Sequence, residues 1–417
     1  MKNSAKHPKS NLNSIFQPAT VGLAITILFA LAAVTAPSVQ AQTFTVLHQF
    51  TGPDGTTPLA GLTMDRAGNL YGTAYLGGQG LGYCNLGCGT VYKLTHTASG
   101  WVFSTLYFFT GDDGANPRAR VVFGPDGALY GTTTQGGVNG RGVVFQLRPP
   151  ANFCHAVQCL WTETILHTFA IGGNDGAYPG KGDLVFDSAG NIYGTTEDGG
   201  DSFGGTVYQL VRSNGSWTEN VLHSFSGGND GSRPLAGLVM DNQGNFYGTT
   251  QSGGSTQAGT VYQLTHSGSG WTETVIHSFD DNTEGSIPYG GLIFDAAGHL
   301  YGTTSTGGPG FAGGVYELTP SGGGWTSNVL YSFSAYIGSR ASLTFGPNGE
   351  LYGTLNLGDV DVFQLTQSGG QWNLTGIKGR TNDDPEGNVI LDAQGHLYTT
   401  GSQGGPNQDG LVLEITP

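Results

Sequence analysis

From Thr43 onward the chain alternates short apolar runs with clusters of Gly, Asp, Asn and Ser. The stretch 237–279 shows the pattern best. GLVMD is a continuous apolar run closed by an acid, the signature of a short strand covered on both faces. Asn242-Gln243-Gly244 is turn chemistry, with Asp241 placed to accept backbone N–H groups and Gly244 free to take positive φ. NFYGTT reads as a second strand, and TVYQLT (Thr260–Thr265) as a third after the Gly-rich loop QSGGSTQAG. SGSG then turns the chain into a fourth strand, WTETVIHSF, Trp271–Phe279. No amphipathic helical period interrupts this order, so the pattern predicts an all-β unit of four strands.

The unit recurs. DNQGNFYGTT at Asp241 has close copies at Asp65, Asp187 and Asp295 and looser ones at Gly124, Gly346 and Asp392. The tyrosines of these seven copies, Tyr71, Tyr130, Tyr193, Tyr247, Tyr301, Tyr352 and Tyr398, recur about every 54 residues, the length of a four-stranded unit. A lone unit of this size has a poor core, so copies must stack on one another. The chain ends decide how. The last repeat, GNVILD–GHLYTT–GLVLEIT, has three strands, and Thr43–Phe50 (TFTVLHQF) is a fourth strand without the other three. The prediction is a seven-bladed β-propeller of four-stranded blades, its ring closed by the N-terminal strand completing the last blade. All six tryptophans open internal fourth strands, and His48, His167, His223 and His277 share a second position with Tyr107 and Tyr331. A register this regular marks packing residues.

The unit Leu222–Thr265, LHSFSGGNDGSRPLAGLVMDNQGNFYGTTQSGGSTQAGTVYQLT, resembles the GloVer tandem repeat of exported bacterial proteins. The resemblance covers nearly all of the chain after residue 41. It implies a propeller-like, exported protein and implies no particular activity.

Residues 1–41 differ from the rest. Lys2, Lys6 and Lys9 precede an apolar run, Val21–Ala36, and Val39-Gln40-Ala41 satisfies the small-residue cleavage rule. The run is shorter than the roughly 20 residues of a membrane span. We read 1–41 as a signal peptide, 42–417 as the propeller domain, and the mature protein as secreted, periplasmic or cell-surface, with no stable membrane span after cleavage. Beyond the leader, 12 basic side chains face 30 acidic ones. That balance argues against nucleic acid as a partner and is compatible with cations, neutral polymers or proteins. Aromatics make up 11% of the chain, which separates its 73 glycines from those of a disordered segment. The four cysteines form two local pairs in insertions, Cys84 with Cys88 and Cys154 with Cys159, and in an exported chain both pairs are expected as disulfides.

Candidate chemistry lies in the loops. An acid-Gly-x-x-Pro turn recurs five times, at Asp54, Asp113, Asp175, Asp230 and Glu284. On a propeller these acids are expected to ring one face near the axis, where they would hold Ca²⁺ or a polyol, or else each caps its own turn. Repeats six and seven break the pattern and carry Asp359, Asp361, Asp383, Asp384 and Glu386 instead. No G-x-S-x-G, HExxH, P-loop or dinucleotide fingerprint is present. The expected function is therefore a non-enzymatic, monomeric propeller that binds a glycan, a cation or a protein partner through its Gly/Asp-rich loop face. Ca²⁺ is the one cofactor this chemistry suggests. The alternative is a secreted polysaccharide lyase, glycoside hydrolase or lactonase with carboxylates at the axis.

Overall fold

Seven antiparallel sheets stand in a ring, which is a seven-bladed β-propeller. The computed structural model describes residues 42–79, 84–151, 159–170, 172, 174–268, 270–334, 338–355, 362–377 and 387–416. Blades are numbered here by the chain order of their first strands. Blade four is typical, with strands Val239–Met240, Phe246–Thr250, Thr260–Ser267 and Gly270–Ser278. Its register pairs Val239 with Tyr247, Tyr247 with Gln263 and Tyr262 with Val275. Blade three adds a strand, Gly176–Pro179, on the lengthened Ile192–Gly199.

Thr43–Gln49 is the fourth strand of blade seven, as the sequence predicts. It runs antiparallel to Leu411–Thr416, with Phe44 opposite Ile415 and Gln49 opposite Leu411. Phe50 N then donates to Gly410 O at 3.0 Å. Blade seven meets blade one through Thr400, whose hydroxyl donates to Ala60 O at 2.7 Å.

The recurring decapeptide is structural on both sides of its turn. Asp241 Oδ1 accepts from the backbone N–H of Gln243 and of Asn245, each at 2.9 Å. Its Oδ2 accepts from Asn245 Nδ2 at 2.8 Å and from the Tyr247 hydroxyl at 3.1 Å. The Tyr247 hydroxyl in turn accepts from Gln263 Nε2 at 2.6 Å, tying the first three strands together. Gly248, in the middle of the YGT strand, is required for a different reason. A Cβ there would lie 2.4 Å from the Tyr262 hydroxyl, whose ring is fully buried against the strand. The same approach recurs at Gly72, Gly194 and Gly302 over Tyr92, Tyr208 and Tyr316.

The core lies between blades. Tyr193 and Phe225 of blade three pack with Phe246, Tyr262 and Leu264 of blade four, all buried. Trp271 of blade four meets Tyr193 edge-on at 6.3 Å, and Trp101, Trp161 and Trp325 meet Tyr398, Tyr71 and Tyr247 in the same way. The tryptophans are therefore packing residues between neighbouring blades. Asp241→Ala strips four donors of their acceptor, and each buried donor left unpaired costs about 1–3 kcal/mol. We expect Asp241→Ala to lower the unfolding free energy by at least that range's lower limit in urea denaturation, and Asp241→Asn to lose less.

Candidate functional site at the propeller axis

In every repeat the residues just before the first strand turn toward the axis. Together they line a cavity of about 590 Å³. All seven blades contribute: Gly61, Arg118 and Arg120, Lys181 and Asp183, Gly237, Tyr289, Arg340 and Ser342, and Asn388. Below them Val122, Val185, Val239, Ile293 and Ile390 give an apolar wall. Backbones from adjacent blades touch at this level. A Cβ on Gly237 would fall 2.7 Å from Asp183 N, and one on Gly290 would fall 2.4 Å from Ala341 O.

The lining is cationic in an acidic protein. Four of the 12 Lys and Arg residues beyond the leader reach it: Arg118, Arg120, Lys181 and Arg340. Arg120 is the structural member. Its Nε donates to Asp183 Oδ2 at 2.9 Å, its Nη2 donates to the same oxygen, and its Nη1 reaches Leu62 O at 3.3 Å. Burial acts to discharge this guanidinium, but Asp183 outweighs it and holds the group charged. The other three surround Tyr289. Arg118 Nη2 lies 3.5 Å from the Tyr289 hydroxyl, Lys181 Nζ 4.7 Å from the ring centroid, and the Arg340 guanidinium carbon 5.5 Å from it. Arg118 Nε is buried without a hydrogen-bond partner. On the remaining side Asn388 Oδ1 accepts from Ser342 N at 2.9 Å, and Ser342 Oγ from Gly291 N at 2.7 Å. Among the described lining residues Asp183 is the one carboxylate, and it is bonded to Arg120. The arrangement offers positive charge, N–H donors and an aromatic hydroxyl.

The five loop acids lie elsewhere, against the outermost strands and outside this cavity. His48 Nε2 is 2.9 Å from Asp54 Oδ2, the Tyr107 hydroxyl donates to Asp113 Oδ2 at 2.7 Å, and His277 Nε2 is 2.7 Å from Glu284 Oε2. His167 and His223 approach Asp175 and Asp230 at 3.3 and 3.5 Å. Asp54, Asp113, Asp175 and Asp230 also accept backbone N–H groups from Thr51, Thr110, Ala170 and Ser226 at 2.7–2.8 Å. A β-bulge explains how the ring reaches the acid. In blade four the register slips between Val261 and Tyr262, which turns His277 toward the loop. Blade six has no slip between its third and fourth strands, and no histidine or tyrosine on its fourth strand, Gln371–Ile377.

Three junctions add a second carboxylate from the next blade: Glu163 beside Asp113, Glu219 beside Asp175 and Glu273 beside Asp230. Burial first, and the neighbouring aspartate second, push Glu163 up to about 8 and Glu219 and Glu273 up to about 7. In each glutamate Oε1 is buried without a hydrogen-bond partner. His167, Asp175 and Glu219 bring one ligand atom each within 4.8 Å of one another, a set that a metal ion could join. Asp359, Asp361, Asp383, Asp384 and Glu386 lie outside the described residues, as does Cys154. Cys84 and Cys88 form a disulfide.

The axial residues escaped the sequence reading, although a signal was present. At the position after the loop proline, Leu59 and Leu235 alternate with Arg118, Tyr289 and their counterparts Lys181 and Arg340. Two residues on, Gly61 and Gly237 alternate with Arg120, Asp183, Ser342 and Asn388. Within an otherwise regular motif, the axial positions change from repeat to repeat.

Fold and site together define a seven-bladed propeller with a cationic axial pocket. The chain belongs to the Gloeobacter/Verrucomicrobia repeat family, whose sequence model matches residues 33–160 and 157–361. No curated protein matches it. Among solved structures it is similar to a chain of a mitotic checkpoint complex, with a TM-score of 0.55, 13% identity, and 98% of this chain and 99% of that one covered. PorZ, a surface component of the type-IX secretion system of Porphyromonas gingivalis, gives 0.52 and 12% identity over 89% of this chain and 48% of its own. A copper-bound fungal alcohol oxidase of the AA5 family gives 0.51 and 16% identity over 90% and 76%. At these identities the likeness is one of fold alone.

Proposed function

We propose that this protein is an exported binding propeller that takes an anionic ligand, the acidic end of a glycan, in its axial pocket. The observation that carries the reading is the convergence of Arg118, Lys181 and Arg340 on Tyr289 in a chain with twice as many acids as bases. A cavity of about 590 Å³ is within the usual range for small-ligand pockets and accommodates one or two sugar units. Export is supported by the basic start, the apolar run and the cleavage rule in residues 1–41. Binding is favoured over catalysis because the one described axial carboxylate is held by Arg120, and no nucleophile stands beside a base in the described lining.

Calorimetric titration of the purified protein with glucuronate and with glucose tests the reading. Glucuronate is expected to bind and glucose not to, with affinity falling as salt rises. In the double variant Arg118→Ala/Lys181→Ala the glucuronate affinity should drop at least tenfold. Equal binding of both sugars, or an unchanged affinity in the double variant, would sink the proposal.

A further inference from the structure

We propose that the junction of blades two and three holds one divalent first-row transition ion, bound by His167, Asp175 and Glu219. His167 lies on Thr162–Thr168, the fourth strand of blade two, and Glu219 on Ser216–Ser224, the fourth strand of blade three. Asp175 stands between them, in the loop that leads into blade three. Among the described residues this is the one group of three such side chains whose ligand atoms all lie within 4.8 Å of one another. His167 Nε2 is 3.3 Å from Asp175 Oδ1 and 3.9 Å from Glu219 Oε2. An ion bonded at about 2.0–2.2 Å to nitrogen and oxygen ligands sets those ligands about 3–3.5 Å apart. The spacing is therefore close to that of a coordination sphere before any ion arrives. Glu219 Oε1 is buried and accepts no hydrogen bond, so a cation supplies the positive partner that no donor provides. The three side chains are 12–20% exposed, which lets an ion in from solvent and leaves its remaining positions to water.

The rest of the ring shows what is particular to this junction. Elsewhere Phe103 and Ser327 replace the glutamate beside His48 and His277, and Tyr107 replaces the histidine beside Glu163. Blades three and four bring together His223, Asp230 and Glu273, but there Ser226 engages both oxygens of the aspartate, its N–H donating to Oδ2 and its hydroxyl to Oδ1. Thr51 likewise gives Asp54 both its N–H and its hydroxyl. At the matching position the loop into blade three has Ala170, which donates its N–H to Asp175 Oδ2 at 2.8 Å and has no hydroxyl to give. The carboxylate is thus anchored through one oxygen while the other, Oδ1, faces His167. His299 and His396 also meet two carboxylates each, but in those clusters the Tyr301 and Tyr398 hydroxyls donate to both carboxylates. An imidazole with two carboxylates suits Zn²⁺ or Ni²⁺, whereas Ca²⁺ and Mg²⁺ take oxygen ligands alone. Because its ligands come from two blades and the loop that joins them, the ion staples blade two to blade three.

The test is calorimetric titration of the full chain, stripped with EDTA and dialysed, with Zn²⁺ and separately with Ca²⁺ at one pH near neutrality. One Zn²⁺ per chain is expected, bound at least tenfold more tightly than Ca²⁺, and its binding should raise the melting temperature by several degrees. Glu219→Gln keeps the shape of the side chain but removes a charged ligand, and should weaken Zn²⁺ at least tenfold. Ala170→Ser leaves all three ligands in place and supplies the hydroxyl that Ser226 provides one junction on; it should weaken Zn²⁺ severalfold by engaging Asp175 Oδ1. Glu317→Gln, in the His299 cluster, should leave Zn²⁺ binding unchanged. Zn²⁺ that binds Glu219→Gln as tightly as the unaltered chain, or that is lost in Glu317→Gln instead, sits elsewhere and overturns the proposal. Ca²⁺ bound as tightly as Zn²⁺, or no Zn²⁺ bound at all, overturns it as well.

Discussion

A chain lacking residues 42–49 should not form a stable propeller. Among the described residues that strand is the only partner for the outer edge of Leu411–Thr416, where Phe44 faces Ile415, Val46 faces Leu413 and His48 faces Val412. Its loss uncovers Val412, Leu413 and Ile415, all buried in the closed ring, and leaves a bare sheet edge prone to pairing with other chains. It also detaches His48 from Asp54 and from the Phe103 ring of blade one, on which it stacks at 3.7 Å. A typical domain has only about 5–15 kcal/mol of net stability. Losing one side of a blade and its junction should consume most of it, so the truncated chain is expected to aggregate or to melt tens of degrees lower. A synthetic peptide TFTVLHQF added in trans should recover part of the loss by adding the strand back. Melting within a few degrees of the intact protein would mean that the ring does not depend on this strand.

Stability should peak on the acid side of neutrality, and three glutamates set the alkaline limb. Glu163, Glu219 and Glu273 have folded-state pKa values above the ordinary 4.5, at about 8, 7 and 7. A group raised in this way is neutral in the folded protein, and the stability it leaves intact below about pH 4.5 is lost as pH rises to its folded value. Tyr107 and Asp113 face Glu163; His167 and Asp175 face Glu219; Asp230, which His223 also approaches, faces Glu273. The acid limb has other owners. Asp54, Asp65, Asp187 and Glu284 sit below their ordinary values because their hydrogen bonds to histidine, backbone and tyrosine or asparagine partners outweigh burial. Their contribution is present above about pH 4 and lost below it. His223, lowered by burial, also costs stability on the acid side, from the point where pH falls below its ordinary 6.5. After allowance for partial solvent access we expect each glutamate to cost on the order of 1 kcal/mol between pH 5 and 8. The triple variant Glu163→Gln/Glu219→Gln/Glu273→Gln should flatten the alkaline limb and keep the acid one. An alkaline limb as steep as that of the unaltered protein would show that these pairs do not titrate as described.

The architecture was legible because it is written in repetition. Seven tyrosines fix the register, Gly244 and its counterparts mark the turns, and the orphan strand Thr43–Phe50 matches the missing strand of the last repeat. The site was less so. The repeated acids drew the eye, yet a one-residue bulge in the fourth-strand pairing turns His48, Tyr107, His167, His223 and His277 toward Asp54, Asp113, Asp175, Asp230 and Glu284, and no period in the sequence records a bulge. The axial residues fail in the opposite way. Arg118, Lys181, Tyr289 and Arg340 are single departures from Leu59 and Leu235, each meaningless until seven blades bring them to one axis. Repetition reveals what builds a ring, and departure from it reveals what the ring encloses.

The most direct test of a cationic axis is crystallographic. Crystals soaked in selenate, a tetrahedral dianion with its own anomalous signal, should show their strongest selenium peak within hydrogen-bonding reach of Arg118, Lys181 or Arg340. Selenium only on the outer surface of the blades, with none at the axis, would contradict the account.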